Sequence, residues 1–159
     1  YKNDNTMLRE EIIKHITAVS GDDPIIYTTG KASRELFEIR EANGEPHGYD
    51  FLTVGSMGHS SSIALGVAMN RPDRTVWCID GDGAVLMHMG AMSVIGSVKP
   101  TNFIHIVINN RAHETVGGMP TALSGTDLPA VAAACGYEAS LRVNDFSELD
   151  EALRAAKHS

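Results

Sequence analysis

Apolar positions recur along the chain at two spacings, one typical of helices and one typical of buried strands. From Thr6 onward, apolar residues recur at helical spacing up to Val19, and Gly21 ends this pattern. The run 25–28 that follows is rich in β-branched and aromatic residues, which indicates a short strand. The sequence therefore begins with a predicted helix and strand.

The same succession of strand and helix continues to the end of the sequence. Further strands are predicted at 51–54, 75–79 and 103–108, with a weaker one at 138–143. Helices are predicted at 31–41, 60–69, 85–95, 128–135 and 145–157. Strands that alternate with helices form parallel sheets. We therefore predict an α/β fold, a doubly wound parallel sheet with helices on both faces, in one domain over residues 1–159.

Glycines and polar residues follow four of the predicted strands at the points where these strands end. They are Gly30, Gly55, Asp82 and Asn110. In doubly wound sheets, ligands bind beyond the carboxyl ends of the strands. The four positions are therefore predicted to contribute to one site.

The tripeptide Gly81-Asp82-Gly83 and the dipeptide Asn109-Asn110 stand about 25 residues apart, each at a strand end. One carboxylate and one amide carbonyl are oxygen ligands of the kind that Mg²⁺ prefers, and such a cation can also hold a diphosphate. Gly81 and Gly83 allow a ligand to approach the backbone closely. Each motif alone is common in proteins, whereas the two at this spacing point to a diphosphate site.

This pair of motifs resembles the diphosphate-binding signature of thiamine diphosphate enzymes. The resemblance implies that Asp82, Asn110 and the backbone carbonyl of Ala112 bind Mg²⁺, with Asn109 as the second choice to Asn110. The segment 55–58 is similar to one in 2-oxo acid decarboxylases whose apolar residue, here Met57, holds the cofactor bent. The cofactor-binding residues implied in this way are Gly30, Lys31, Gly55, Ser56, Met57, Gly81, Asp82, Gly83, Ala84, Asn110 and Thr115.

More narrowly, the stretches 28–35, 51–59, 81–90 and 109–118 resemble the phosphonopyruvate decarboxylase family. The resemblance implies non-oxidative decarboxylation of phosphonopyruvate to phosphonoacetaldehyde and carbon dioxide, with thiamine diphosphate and Mg²⁺ as cofactors. Arg111 departs from the family, in which we expect glycine, and this difference bears on the loop conformation more than on metal binding.

Two alternatives remain open. Sulfopyruvate decarboxylase is closely similar, and its two halves can be separate chains, which suits a short sequence. The other alternative is a non-catalytic nucleotide-binding Rossmann-like module. Against it, the first predicted strand is followed by a single glycine, Gly30, and by no G-x-G-x-x-G motif.

Four residues are candidates for a part in catalysis: Met57, His59, His113 and Glu114. Met57 would bend the cofactor, although most methionines are core residues. Either histidine could face the substrate or bond the diphosphate. Glu114 could donate a proton late in the cycle or be a solvated loop carboxylate.

Lys31 begins the second predicted helix, where the backbone N–H groups favour anions. It could bind the phosphonate or sulfonate of a substrate, or be an ordinary surface charge.

The histidine at position 105 lies within a predicted strand and is expected to be a satisfied core or surface residue.

Composition and charge bear on whether the chain binds nucleic acid or a membrane. A net charge of -7 without a basic block argues against nucleic acid, and no apolar run is long enough for a membrane span, so we expect a cytoplasmic protein. Cys78 and Cys135 are expected to be reduced thiols.

With 159 residues, the chain is too short for a complete enzyme of this family. The resemblance implies a pyrimidine-binding domain, absent from this sequence, that is fused upstream or carried by a separate chain and supplies an activating glutamate. It also implies a further strand beyond the last helix and a homo-oligomer of the full enzyme that acts on a small 2-oxo acid.

Overall fold

Four parallel strands form the central sheet of the computed structural model, which describes residues 6–123 and 125–158. The strands are β1 (Ile25–Tyr27), β2 (Asp50–Leu52), β3 (Val76–Gly81) and β4 (Phe103–Ile108), in the order β2-β1-β3-β4. In the register, Ile25 lies beside Asp50 and Trp77, and Gly81 lies beside Ile108. The predicted parallel α/β fold is confirmed.

Within residues 6–123 and 125–158, seven helices connect and cover these strands. They are α1 (Arg9–Ser20), α2 (Lys31–Asn43), α3 (Ser60–Asn70), α4 (Asp82–Met87), α5 (Gly90–Val98), α6 (Leu128–Cys135) and α7 (Phe146–Lys157). Asp145 caps α7 by accepting a hydrogen bond from the backbone N–H of Glu148 at 2.8 Å. Among the described residues, no helix is both long enough and apolar enough to cross a bilayer.

The structure differs from the sequence-based prediction in two elements. The single helix predicted at 85–95 is two helices, because His88 leaves the helical conformation, with φ -133° and ψ 47°. The structure describes residues 138–143 throughout, and the strand predicted there is not formed. Ser140 and Arg142 bond instead to Pro129 and Asp127 near the start of α6. Both differences depend on neighbours distant in sequence.

A small antiparallel hairpin follows β4. It consists of β5 (Ala112–His113), a 3₁₀ turn (Glu114–Val116) and β6 (Met119–Pro120). Ala112 lies opposite Pro120, and His113 lies opposite Met119. The hairpin therefore places the residues that follow the two asparagines next to the carboxyl ends of the strands.

Two hydrophobic cores lie on opposite faces of the sheet, because side chains alternate along β3. Trp77 and Ile79 pack on the face covered by α1, α2 and α7, while Val76 and Cys78 pack under α3. The strand is buried on both faces, as expected of a central parallel strand. This core holds the ends of β3 and β4 in a fixed position.

A buried polar cluster lies within the sheet behind the site. The prediction that both ring nitrogens of His105 have hydrogen-bond partners is correct for one of them. Nδ1 contacts the Tyr137 hydroxyl at 3.0 Å. Nε2 lies 3.6 Å from Asp80 Oδ2 and has no hydrogen bond among the described residues. Cys78 and Cys135 are both free thiols, as predicted. Burial raises the pKa of Cys78, which favours the neutral thiol.

The outer edge of β4 borders a cleft of about 1970 Å³. Its opposite wall includes the irregular segment 136–144, and the side chains of α7 line its base. No strand pairs with this edge in the ranges 6–123 and 125–158. The cleft reaches the carboxyl end of β4, where Asn110 and Glu114 are among its lining residues.

Replacing Gly96 by alanine should destabilise the protein by about 3 kcal/mol, because a Cβ there would overlap the backbone carbonyl of Cys135. Denaturant unfolding of the variant measures this change. Gly66→Ala is the matched control: it lies in α3 with open space at its Cβ, and it should raise stability by up to about 1 kcal/mol. A neutral Gly96→Ala variant would contradict the close packing of α5 on α6.

Candidate functional site

A small cavity of about 90 Å³ lies where β1, β3 and β4 end. The turn after β1, the start of α4 and the hairpin after β4 form its walls. The residues that line it include Arg9, Thr28, Thr29, Lys31, Met57, Gly81, Asp82, Gly83, Ala84, Asn110, Ala112, His113, Glu114 and Thr115. Most of the candidate residues are therefore brought together at one edge of the sheet.

Asp82 is the first residue of α4 and is almost fully buried, with 2% of its surface exposed. The Thr121 hydroxyl donates a hydrogen bond to its Oδ2 at 2.6 Å. Asp82 does not act as the helix cap, because Gly81 occupies that position. Thr121 engages one of the two carboxylate oxygens, so the other can bind a cation.

Two hydrogen bonds, one donated and one accepted, set the orientation of the Asn110 side chain. Its Nδ2 donates to Glu114 Oε1 at 2.8 Å, and its Oδ1 accepts from the backbone N–H of Ala112 at 3.0 Å. An amide oxygen has two lone pairs, of which the Ala112 N–H uses one. Oδ1 therefore keeps the capacity to bind a cation.

The third expected ligand, the Ala112 carbonyl, is left available by the hairpin. The residue opposite Ala112 is Pro120, which has no N–H to donate. The neighbouring bond runs from the Thr121 N–H to the Arg111 carbonyl at 3.0 Å. The site thus offers a carboxylate, an amide oxygen and a main-chain oxygen, a set that suits a hard cation such as Mg²⁺.

Gly83 lies directly beneath two of the candidate side chains. A Cβ on Gly83 would lie 2.6 Å from His113 Cε1 and 3.3 Å from Met57 Cε. Only glycine therefore fits between α4 and these side chains without a shift of the imidazole. His113 and Met57 face the same cavity from the hairpin and from the loop before α3.

Glu114 is held by cations from two helices. Arg9 Nη1 lies 2.8 Å and Lys31 Nζ 4.0 Å from Glu114 Oε2. Burial on its own raises the pKa of Glu114, but the hydrogen bond and charge of Arg9, aided by Asn110 and Lys31, outweigh it and lower the pKa. Glu114 is thus a bound carboxylate, in contrast to the solvated loop residue considered from sequence.

The remaining candidates lie at the rim of the site. The ring of His59 packs against that of His88 in a tilted arrangement, with 4.1 Å between centroids, and His59 is not among the residues that line the cavity. The backbone N–H of Gly55 donates a hydrogen bond to Thr29 Oγ1 at 3.1 Å. Ser56 adopts a positive φ of 50°, and Gly30 one of 110°. The catalytic role of His59 stays a prediction, as do the binding roles of Gly30, Gly55 and Ser56.

Two residues of the site were missed from sequence, Arg9 and Thr121. Arg9 lies on α1, which reads as an ordinary amphipathic helix, so no local signal marks it. Thr121 lies just beyond the stretch 109–118 that carried the resemblance. The signal that could have found Thr121 is its hydroxyl group, which follows the hairpin and could be tested as a hydrogen-bond partner of Asp82.

The chain is similar to several known proteins. The family described as "Thiamine pyrophosphate enzyme, C-terminal TPP binding domain" matches residues 28–159. Phosphonopyruvate decarboxylase of Streptomyces viridochromogenes is 42% identical over 135 residues, 85% of this chain and 32% of that protein. The chain thus spans about a third of the length of this relative.

A second relative is covered more fully. Sulfopyruvate decarboxylase subunit beta of Methanococcus maripaludis is 37% identical over 152 residues, 94% of this chain and 77% of that protein. The crystal structure of benzoylformate decarboxylase from Polynucleobacter necessarius is similar in fold, with a TM-score of 0.75 at 19% identity over 99% of this chain and 33% of that chain.

Arg111→Gly should raise the free energy of unfolding by about 1 kcal/mol. Arg111 has φ 56°, a left-handed conformation that glycine adopts without the strain of a Cβ. Lys99→Gly is the matched control, since Lys99 has φ 52° at the end of α5, away from the site. If Lys99→Gly stabilises while Arg111→Gly destabilises, the Arg111 side chain contributes contacts that outweigh the strain.

Proposed function

The chain belongs to the thiamine pyrophosphate (thiamine diphosphate) enzymes, as their C-terminal TPP binding domain, and we propose that it is the diphosphate-binding half of a phosphonopyruvate decarboxylase. The observation that carries this proposal is that one cavity is lined by Asp82, Asn110 and Ala112, which can offer a carboxylate, an amide and a main-chain oxygen to a cation. It is supported by 42% identity to phosphonopyruvate decarboxylase.

The residues present fit a diphosphate bound through Mg²⁺. Asp82, Asn110 and the Ala112 carbonyl would hold the cation, which keeps phosphate oxygens in the rest of its shell. Gly81 leaves the backbone open beside them, since a Cβ there would meet no atom within 4 Å. Thr121 donates a hydrogen bond to the Asp82 carboxylate, and the Ala112 N–H donates one to the Asn110 amide oxygen. Each bond leaves acceptor capacity free, so both side chains would be oriented before a cation binds.

Thiamine diphosphate, when bound, supplies the electron sink that loss of carbon dioxide from a 2-oxo acid requires. The chain provides the walls of the site. Met57 lies close to Gly83, and we assign to its side chain the support of the bent cofactor. His113 is the candidate for proton transfer to the substrate, because Glu114 is held as a carboxylate by Arg9.

The second half of the active site is assigned to a pyrimidine-binding domain. This domain would be fused upstream or would be a separate subunit, and the complete enzyme would be a cytoplasmic homo-oligomer of such pairs. The separate beta subunit of sulfopyruvate decarboxylase, which this chain matches over 94% of its length, supports such an arrangement. A cofactor bound between two domains is enclosed only when both are present.

A second candidate function is sulfopyruvate decarboxylation. The observation that favours it is sequence similarity: the chain is 37% identical to the Methanococcus beta subunit over 152 residues. The two substrates differ in their distal anion, which Lys31 would meet at the start of α2, where its side chain is 59% exposed.

The nucleotide-binding alternative loses its support, because the matched family binds TPP.

Steady-state kinetics on the complete enzyme tests the function. With thiamine diphosphate and Mg²⁺ at saturation, kcat/KM should be at least about tenfold higher for phosphonopyruvate than for sulfopyruvate, equivalent to about 1.4 kcal/mol of transition-state discrimination. The reverse preference would assign the chain to sulfopyruvate. Activity on neither substrate, with turnover of another 2-oxo acid, would remove both assignments.

Asp82→Ala should abolish Mg²⁺-dependent binding of thiamine diphosphate, because it removes the charged ligand from the set. Calorimetric titration of the cofactor in the presence of Mg²⁺ measures this loss. Asp73→Ala is the control, since Asp73 pairs with Arg71 on the exposed surface and should leave cofactor affinity unchanged. Equal affinity of wild type and Asp82→Ala would refute the metal assignment.

A further inference from the structure

Arg9 connects three elements at the edge of the cavity. Its Nε and Nη2 donate to the two carboxylate oxygens of Glu35 on α2, each at 2.7 Å, and its Nη1 donates to Glu114 Oε2 at 2.8 Å. The side chain is 19% exposed, so these ion pairs are partly shielded from water. Arg9 also lies before the residues 28–159 that match the family, so α1 reaches the site from outside the matched domain.

The two oxygens of Glu114 have separate partners. Oε2 faces Arg9 at 2.8 Å and Lys31 at 4.0 Å, while Oε1 accepts from Asn110 Nδ2 at 2.8 Å. Arg9 and Lys31 thus hold one oxygen, and the rigid carboxylate presents the other to Asn110. The position of Glu114 relative to Asn110 depends on a side chain of α1.

Glu114 determines which way the Asn110 amide points. A carboxylate only accepts hydrogen bonds, so it selects the NH₂ side of the amide. A flipped amide would place Oδ1 against the carboxylate and the NH₂ against the Ala112 N–H, which is also a donor. With the observed orientation, Oδ1 faces the Ala112 N–H and keeps a lone pair for a cation.

We propose that Arg9 and Glu114 are positioning residues that fix the Asn110 amide with its oxygen toward the metal, so that α1 is a working part of the cofactor site. This inference rests on the proposed function, because it requires a cation bound by Asn110. It gives Glu114 a role distinct from proton donation. Groups that orient metal ligands typically change metal affinity by 10-fold to 100-fold when removed.

The test measures Mn²⁺ binding to the complete enzyme with thiamine diphosphate, followed by the electron paramagnetic resonance signal of free Mn²⁺. Glu114→Ala should raise the Kd for Mn²⁺ by about tenfold or more, and Arg9→Met by a smaller factor, because Lys31 remains near Glu114. The double variant should be no weaker than Glu114→Ala, since Arg9 acts through Glu114.

The Asn110→Asp background separates positioning from general structural support. An aspartate has two equivalent oxygens and therefore no wrong orientation. Adding Glu114→Ala to Asn110→Asp should raise the Kd for Mn²⁺ by a much smaller factor than in the Asn110 background, because only the lost charge of Glu114, and not a flipped amide, then acts on the cation. An equal tenfold loss in both backgrounds would mean that Glu114 only supports the loop, and would overturn the proposal.

Two controls complete the experiment. Arg71→Met removes an ion pair with Asp73 of similar geometry at the exposed end of α3 and should not change Mn²⁺ affinity. Thermal unfolding checks that each variant is folded. If Glu114→Ala does not fold, the isosteric Glu114→Gln takes its place in the Mn²⁺ titration. A glutamine has one accepting oxygen, so it cannot accept hydrogen bonds from both Arg9 and Asn110 as the two carboxylate oxygens do.

The outcomes also distinguish this inference from the proposed function. If Asp82→Ala abolishes Mn²⁺ binding while Glu114→Ala and Arg9→Met retain the wild-type Kd, the metal site stands and the positioning role fails. If wild type and Asp82→Ala bind Mn²⁺ alike, the proposed function itself fails.

Discussion

The pairing of Gly81 on β3 with Ile108 on β4 is the constraint on which the site depends. This register ends two neighbouring parallel strands at the same level, so that Asp82 and Asn110 emerge side by side. A slip of one residue would turn the side chains of β4 to the opposite face and would separate the two ligands. The cores on both faces of the sheet, with Trp77 and Ile79 on one and Cys78 on the other, fix this register.

Much of this arrangement could be predicted from sequence because its signals are local. Strand ends, the glycines beside Asp82 and the asparagines after β4 are visible in short windows of the chain. Arg9 and Thr121 were not predicted, because their partners Glu114 and Asp82 lie 105 and 39 residues away. Such contacts follow from the packing of α1 and the hairpin, which no local pattern specifies.

The two errors in secondary structure have a related cause. Apolar residues continue through 85–95, but the backbone at His88 breaks the helix where its ring meets His59. At 138–143 the strand signal was weak, and polar side chains such as Arg142 found partners elsewhere. Arg111, in contrast, was identified from sequence as a departure from the family, and its φ of 56° explains why glycine is expected there.

The central claim is that Asp82, Asn110 and the Ala112 carbonyl hold one metal ion together with the diphosphate of the cofactor. A crystal structure of the complete enzyme with thiamine diphosphate and Mn²⁺ tests this claim directly, since anomalous scattering locates the metal. The account predicts one anomalous peak within bonding distance of these three oxygen ligands and of the diphosphate. A metal peak elsewhere, for example between Cys78, Asp80 and His105 within the sheet, with none beside Asp82, would contradict it.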